Sequence, residues 1–267
     1  MADAKPDIVL WEHPLSPYAQ KVKIALGEKG VAFVAKTPSA MGSGSTPEDF
    51  RRMSFRGEVP VLVVGDQAVI DSTVILELIE DLYPEPPLLP SDPFARVRAR
   101  TIEDVCDTQF EAINWGLSEV TNFRRAEGEL AERLRTRAGE QIGRLYRWLE
   151  RELGDAEWFG GDRFGWADLS AVPYVQGAAS FDVAPSEGGP LAGWLTRCRA
   201  RPSVQATFAA AREAASAMRA VAQIVEAGAF KRQYRDHRLE WMIRSGGVDV
   251  VLKGLERDNI RFNGEPV

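Results

Sequence analysis

The chain has 267 residues, 45% of them hydrophobic and 27% charged, and a formal net charge of −6 at neutral pH. That length fits one large domain or two modest ones, and the acidic balance argues against a nucleic-acid partner, which asks for a basic stripe. No apolar run approaches the ~18 residues of a membrane span, and no basic region followed by an apolar stretch marks an N-terminal leader.

DIVLWEH (7–13) reads as a strand and SPYAQKVKIALGEKG (16–30) as an amphipathic helix that Ser16 caps and Gly30 ends. VAFVAKT (31–37) is a second strand. A Gly/Ser-rich loop follows, with a short helix after Pro47. VPVLVVGD (59–66) and QAVID (67–71) form two strands around a turn at Gly65-Asp66, and a helix runs from Ser72 to about Tyr83. Residues 84–93, PEPPLLPSDP, hold five prolines and read as a linker, because proline lacks an N–H and fixes φ. Helical periodicity then covers 94–120, 128–153, 166–180, 190–200 and 203–227, with VDVVL (248–252) the one strand-like run. The expected organisation is therefore a small α/β domain over 1–83, a linker over 84–93, and an all-helical domain over 94–267 with an extension from about 211.

Cys106 and Cys198 lie far apart and in no CxxC, which fits a reducing cytoplasm. His13 and His237 are the only histidines, too few and too separated for a metal site.

Three local features carry chemistry. Ser16-Pro17 opens the first helix, Val59-Pro60 opens a strand, and Asp71-Ser72 joins a strand to a helix. Each is an ordinary structural device alone: a cap, a turn proline, a second cap. In this order and spacing, HPLSPYAQKVKIALGEKG, RGEVPVL and VIDSTVILELIEDLYPEPPLLPSDP resemble the thioredoxin-like domain of the cytosolic glutathione S-transferase family. WFGGDRFGWADLSAVPY (158–174) is similar to the helix-capping motif of that family's helical domain. The likeness spans about 6–210, with a looser similarity to bacterial glutathione-dependent β-etherases.

The resemblance implies a thioredoxin-like N-terminal domain followed by an all-α domain, glutathione as co-substrate, no metal, and a cytoplasmic homodimer. It implies that Ser16 donates a hydrogen bond to the glutathione sulfur. The Val59 backbone, before an expected cis-Pro60, would pair with the cysteinyl part. Asp71 and Ser72 would hold the γ-glutamyl end, a carboxylate at a helix N-terminus being an ordinary anion site. Arg51, Arg52 or Arg56 could meet the glycine carboxylate, because Glu58 stands where the family often has a neutral or basic residue. Tyr18 is a candidate second donor. Leu15, Tyr18, Phe110, Asn114, Trp115 and Phe123 are the candidates for the electrophile pocket, with core packing the competing reading for each aromatic. The extension either packs on the helical domain or covers the electrophile site through Tyr234, Trp241 or Phe262.

Gly165 replaces the Ser or Thr that opens the family's capping motif, leaving no side-chain acceptor there. The functional expectation is a glutathione transferase acting on an apolar or aromatic electrophile. Ether-cleaving lyase chemistry, or a non-catalytic glutathione carrier or scaffold, are the alternatives. Because Ser16 cannot form a mixed disulfide, a glutaredoxin-like reductase is disfavoured.

Overall fold

The computed structural model describes residues 8–39, 47–217, 225 and 230–262. Most of the Gly/Ser-rich loop, much of the expected helix beyond Ala217 and both chain ends lie outside the described residues.

Strands β1 (Ile8–Trp11), β2 (Val34–Lys36), β3 (Val61–Val64) and β4 (Gln67–Ile70) form one sheet in the order β2-β1-β3-β4. β1 and β2 are parallel and joined by helix α1 (Pro17–Glu28), while β3 runs antiparallel to both its neighbours. α2 (Glu48–Met53) precedes β3, and α3 (Ser72–Leu82) follows β4. The register sets Trp11 opposite Val61 and Val61 opposite Ile70. The chain leaving β1, the chain entering β3 and the chain leaving β4 therefore meet at one end of the sheet. This is the expected thioredoxin-like half, with Leu10, Val22, Ile24, Leu26 and Ile75 at its fully buried centre.

The proline-rich segment is tied down by buried Lys29, whose Nζ donates to the carbonyls of Tyr83 at 2.6 Å and Pro86 at 2.9 Å. Helices α4 (Pro93–Val105), α5 (Glu111–Thr121), α6 (Gly128–Leu153), α7 (Trp166–Ala179), α8 (Pro190–Ala200) and α9 (Pro202–Ala217) follow. The extension comprises β5 (Arg232–Gln233), α10 (Asp236–Arg244), α11 (Val248–Glu256) and β6 (Ile260–Arg261).

Two features differ from the sequence expectation. The helix over 94–120 runs through as expected in extent, but it carries an unexpected π turn at Cys106–Phe110. VDVVL is helical, because Val250, Val251 and Gly254 bury one face at helical spacing and leave Leu252 and Leu255 exposed.

The two halves are joined by a buried polar cluster. Lys21 of α1, fully shielded from solvent, donates to Glu103 Oε1 and Asp107 Oδ2, both at 2.5 Å. Thr73 Oγ1 and Trp166 Nε1 also donate to Glu103, at 2.8 and 2.5 Å, and the Tyr174 hydroxyl donates to Asp107 Oδ1 at 2.7 Å. Every oxygen of both carboxylates is thus satisfied, as burial requires. Burial alone would push the Lys21 pKa down, but Asp107 and Glu103 override it and raise it.

The glycine at the capping motif has a steric reason. A Cβ on Gly165 would lie 2.7 Å from the Leu88 carbonyl oxygen, where the linker crosses and accepts from the Trp166 amide at 2.8 Å. Asp168 closes the cap by accepting from Gly165 N–H at 3.0 Å, Phe159 N–H at 3.1 Å and Trp194 Nε1 at 2.7 Å. Gly165→Ala is expected to cost about 1–3 kcal/mol by overpacking against backbone. Gly139→Ala, in open space within α6, should gain up to about 1 kcal/mol. Urea unfolding of the two variants checks the contrast, and equal midpoints would refute it.

Candidate functional site

The sheet end described above opens a cleft of about 160 Å³ lined by Tyr18, Arg56, Glu58, Val59, Pro60, Asp71, Ser72, Thr73, Asp107, Thr108, Arg235 and His237, among others. The Val59–Pro60 bond is cis, as expected, and Pro60 sits at the mouth of β3, where no ladder donor is needed. Neither the amide nor the carbonyl of Val59 has a hydrogen-bond partner among the described residues. An extended peptide laid along this edge would find one free donor and one free acceptor.

Asp71 adopts φ 74° and ψ 124°, a conformation that side-chain-bearing residues avoid. Its carboxylate caps α3 by accepting from Thr73 N–H at 3.0 Å and Val74 N–H at 3.3 Å, and Arg56 approaches it at 3.8 Å. The Ser72 hydroxyl beside it has no partner among the described residues. Strain at a capping carboxylate next to a free hydroxyl on a helix N-terminus makes a polar seat that suits an amino-acid head group. Of the three arginines considered for the glycine carboxylate, Arg56 lines the cleft, whereas Arg51 and Arg52 stand exposed on α2, with Arg52 paired to Glu48.

Ser16 caps α1, its Oγ accepting from the Ala19 amide at 3.4 Å, and it is not among the residues that line the cleft. Accepting that bond leaves the hydroxyl proton free to donate. Tyr18 lines the cleft with its ring, but its hydroxyl donates to the Asp107 carbonyl at 2.7 Å. Its single proton is committed, and burial pushes the phenol well above its usual range. Tyr18 therefore lines the site without being a second donor. His13 Nδ1 accepts from the Leu15 amide at 3.2 Å, and burial lowers the imidazole pKa. Both cysteines are buried, and burial raises both thiols; neither is poised as a nucleophile.

A second, larger cleft of about 580 Å³ lies between the π turn and α5, α6 and α10. It shares Thr108 and His237 with the first. None of the six expected pocket residues lines it, and Tyr18 alone lines the smaller cleft. Phe110 is fully buried between Tyr146 and Tyr174. Trp115 meets Tyr234 edge-on under Arg232 and Arg238. Phe123 stacks on Phe230 with Val225, and Asn114 donates to the Tyr174 carbonyl at 2.8 Å. Leu15 is partly exposed and lines neither cleft. Phe110 is core because α6 and α7 enclose it, and Trp115 and Phe123 because the extension covers them. Gly116 serves that packing: a Cβ there would lie 2.0 Å from the Trp241 ring.

The extension also supplies residues that no local signal announced. Arg235 pairs with Glu58 at 2.7 Å and lies over the Tyr18 ring at 4.8 Å, and Gln233 also bonds Glu58. The acidic residue before Val59-Pro60 is thus an anchor for the extension. Arg238 grips Glu111, to which His237 Nε2 also bonds at 3.0 Å. Of the three residues considered as a cover for the electrophile, Trp241 lines the larger cleft, Tyr234 is buried under α5 and Phe262 is half exposed.

Among the described residues no group of three His, Cys, Asp or Glu could hold a metal ion, and no helix is long and apolar enough to cross a membrane.

Comparisons with known proteins identify the family. The family model "Glutathione S-transferase, N-terminal domain" matches residues 10–87, and "Glutathione S-transferase, C-terminal domain" matches residues 121–202. Glutathione S-transferase U22 of Arabidopsis thaliana is 31% identical over 212 residues, 76% of this chain and 89% of that protein. The maleylacetoacetate isomerase of Pseudomonas aeruginosa is 30% identical over 178 residues, 66% of this chain and 83% of that protein. Rice GST1, solved in complex with glutathione, superposes with a TM-score of 0.65 at 27% identity, covering 80% of this chain and 97% of its own. The chain belongs to the glutathione S-transferase family of enzymes, whose co-substrate is glutathione.

Proposed function

We propose that this enzyme transfers glutathione to a small electrophile, with the thiolate prepared by Ser16 and the α1 N-terminus. The supporting observation is that the free Val59 backbone, strained Asp71 and the unpartnered Ser72 hydroxyl line one cleft, at the sheet end where the chain leaves β1 toward Ser16. Val59 would pair with the cysteinyl residue, Asp71 with the α-ammonium, and Ser72, with Arg56 beside Asp71, with the γ-glutamyl carboxylate. The co-substrate supplies the nucleophilic sulfur; the protein's part is to orient it and favour its anion.

The magnitudes suffice without a general base. Lowering a thiol from ~8.5 to about 7 takes roughly 2 kcal/mol. A hydrogen bond to a charged group contributes ~1.5–3 kcal/mol, and a helix N-terminus ~0.3–1 kcal/mol. Ser16→Ala is expected to slow single-turnover conjugation of chlorodinitrobenzene about 10–100-fold. The bound thiol's pKa should rise by about 1–2 units, read from thiolate absorbance. If the variant conjugates at the wild-type rate, the role given to Ser16 is wrong; if neither protein accelerates conjugation while glutathione binds, the carrier reading replaces catalysis.

We further propose a tripeptide-binding domain ending at residue 83 and a helical domain from 94, in a cytoplasmic homodimer. Exposed Val74 of α3 and Phe94 and Val97 of α4 supply an apolar face for one copy's first domain against its partner's helices.

A further inference from the structure

The larger cleft has an apolar wall and a basic rim. Ala112, Ile113, Leu145 and Trp241 form the wall. Trp241 is held in place from two directions: Gly116 lets its ring lie against α5, and its indole N–H donates to Gln141 Oε1 at 3.1 Å. Around this wall stand Arg137, Arg144 and Arg244, with Glu240 the single acidic residue of the lining. Three guanidinium groups on one cleft contrast with a chain whose net charge is −6.

The three arginines are not equivalent. Arg137 pairs with Glu140 at 3.2 Å, and Arg244 with Glu240 at 2.8 Å, both as exposed pairs along a single helix. Such pairs are worth ~0–1 kcal/mol and release their cation readily to a better anion. Arg144 has no ion pair or hydrogen bond among the described residues. An unpaired guanidinium beside an aromatic wall is a fork for a carboxylate.

Building on the transferase reading, we propose that the second substrate is an anionic electrophile, an apolar or aromatic body carrying a carboxylate that Arg144 receives. The body would lie against Trp241 and Ile113. Its reacting carbon would point toward Thr108 and His237, where the two clefts join. A volume of about 580 Å³ is ample for an aromatic acid. The basic rim would also draw such substrates in against the protein's overall charge.

The test compares chlorodinitrobenzene with its carboxylate-bearing analogue, chlorodinitrobenzoate. In both, the thiolate forms a C–S bond at the carbon bearing chlorine, chloride leaves with the C–Cl electron pair, and the thiol proton goes to solvent. With each kcat/KM divided by the uncatalysed rate, the wild type should favour the carboxylate substrate about tenfold or more. Arg144→Gln should cut that preference about tenfold through KM, Arg144→Lys should restore part of it, and salt at about 0.5 M should compress it. A wild-type preference of one or less, or an unchanged preference in Arg144→Gln, overturns the proposal. If neither compound is turned over, the transferase reading falls, and the charged seat is judged by calorimetry with the two preformed glutathione conjugates. Equal affinity of wild type for both conjugates would then overturn the seat as well.

Discussion

Replacing Lys21 with methionine is expected to lower the unfolding free energy at pH 7 by about 3–5 kcal/mol, the usual cost of stranding a buried charge. Glu103 and Asp107 would remain in place with no cation, still facing the donors of Trp166, Thr73 and Tyr174. The pH dependence separates this cause from simple loss of packing. Burial already raises the Asp107 pKa, and without the Lys21 cation that opposes it the folded-state pKa stands further above its unfolded value. The folded variant then binds protons more tightly than the unfolded chain, so it gains stability as pH falls from neutral toward about 4. Urea midpoints at pH 7 and pH 5 should show the gap from wild type narrowing in acid. A gap below about 1 kcal/mol at neutral pH, or one that widens in acid, would sink this account.

Arg238→Ala should act on the extension in the same currency. Burial alone would raise Glu111, but the Arg238 guanidinium, with His237, holds it at about 2 against an ordinary 4.5. That depression is worth roughly 3 kcal/mol at neutral pH. The sign follows from the lowered pKa: the contribution is complete above about 4.5 and is lost as pH falls toward 2. In the variant, amide hydrogen exchange across α10 should speed up by about 100-fold or more at pH 7, while α1 changes far less. In wild type the same loosening should appear on acidification below about 4.5. Exchange in α10 that matches wild type at both pH values would show that Glu111 does not pin the extension.

The sequence carried the first domain well because its signals are local. Ser16-Pro17, Gly30, Gly65-Asp66 and Asp71-Ser72 each mark a cap or turn within a few residues of the element they bound. The sheet then aligns Ser16-Pro17, Val59-Pro60 and Asp71-Ser72 at one end, so the polar half of the candidate site was legible. The other half was not. Asp107 reaches the cleft from a π turn that no periodicity announces, and Arg235 meets Glu58 across 177 positions of chain. Trp115 and Phe123 show the converse limit: an aromatic on a helix face records that something covers it, not whether that something is ligand or protein. Glu58, an oddity before Val59-Pro60 in the sequence, becomes intelligible once its partner is seen.

The π turn at Cys106–Phe110 has a wider consequence. A helix turns about 100° per residue, so one additional residue in a turn shifts the phase of everything downstream. Upstream of the slip, Glu103 faces Lys21 and Thr73 of the first domain. Downstream, Glu111, Gly116 and Glu119 face Arg238, Trp241 and Arg232 of the extension. One backbone thus speaks to two different neighbours, and the residues at the seam, Asp107 and Thr108, are those that border the cleft. The slip lets a single rod serve as both the hinge pin of the domain pair and the anchor rail of the tail.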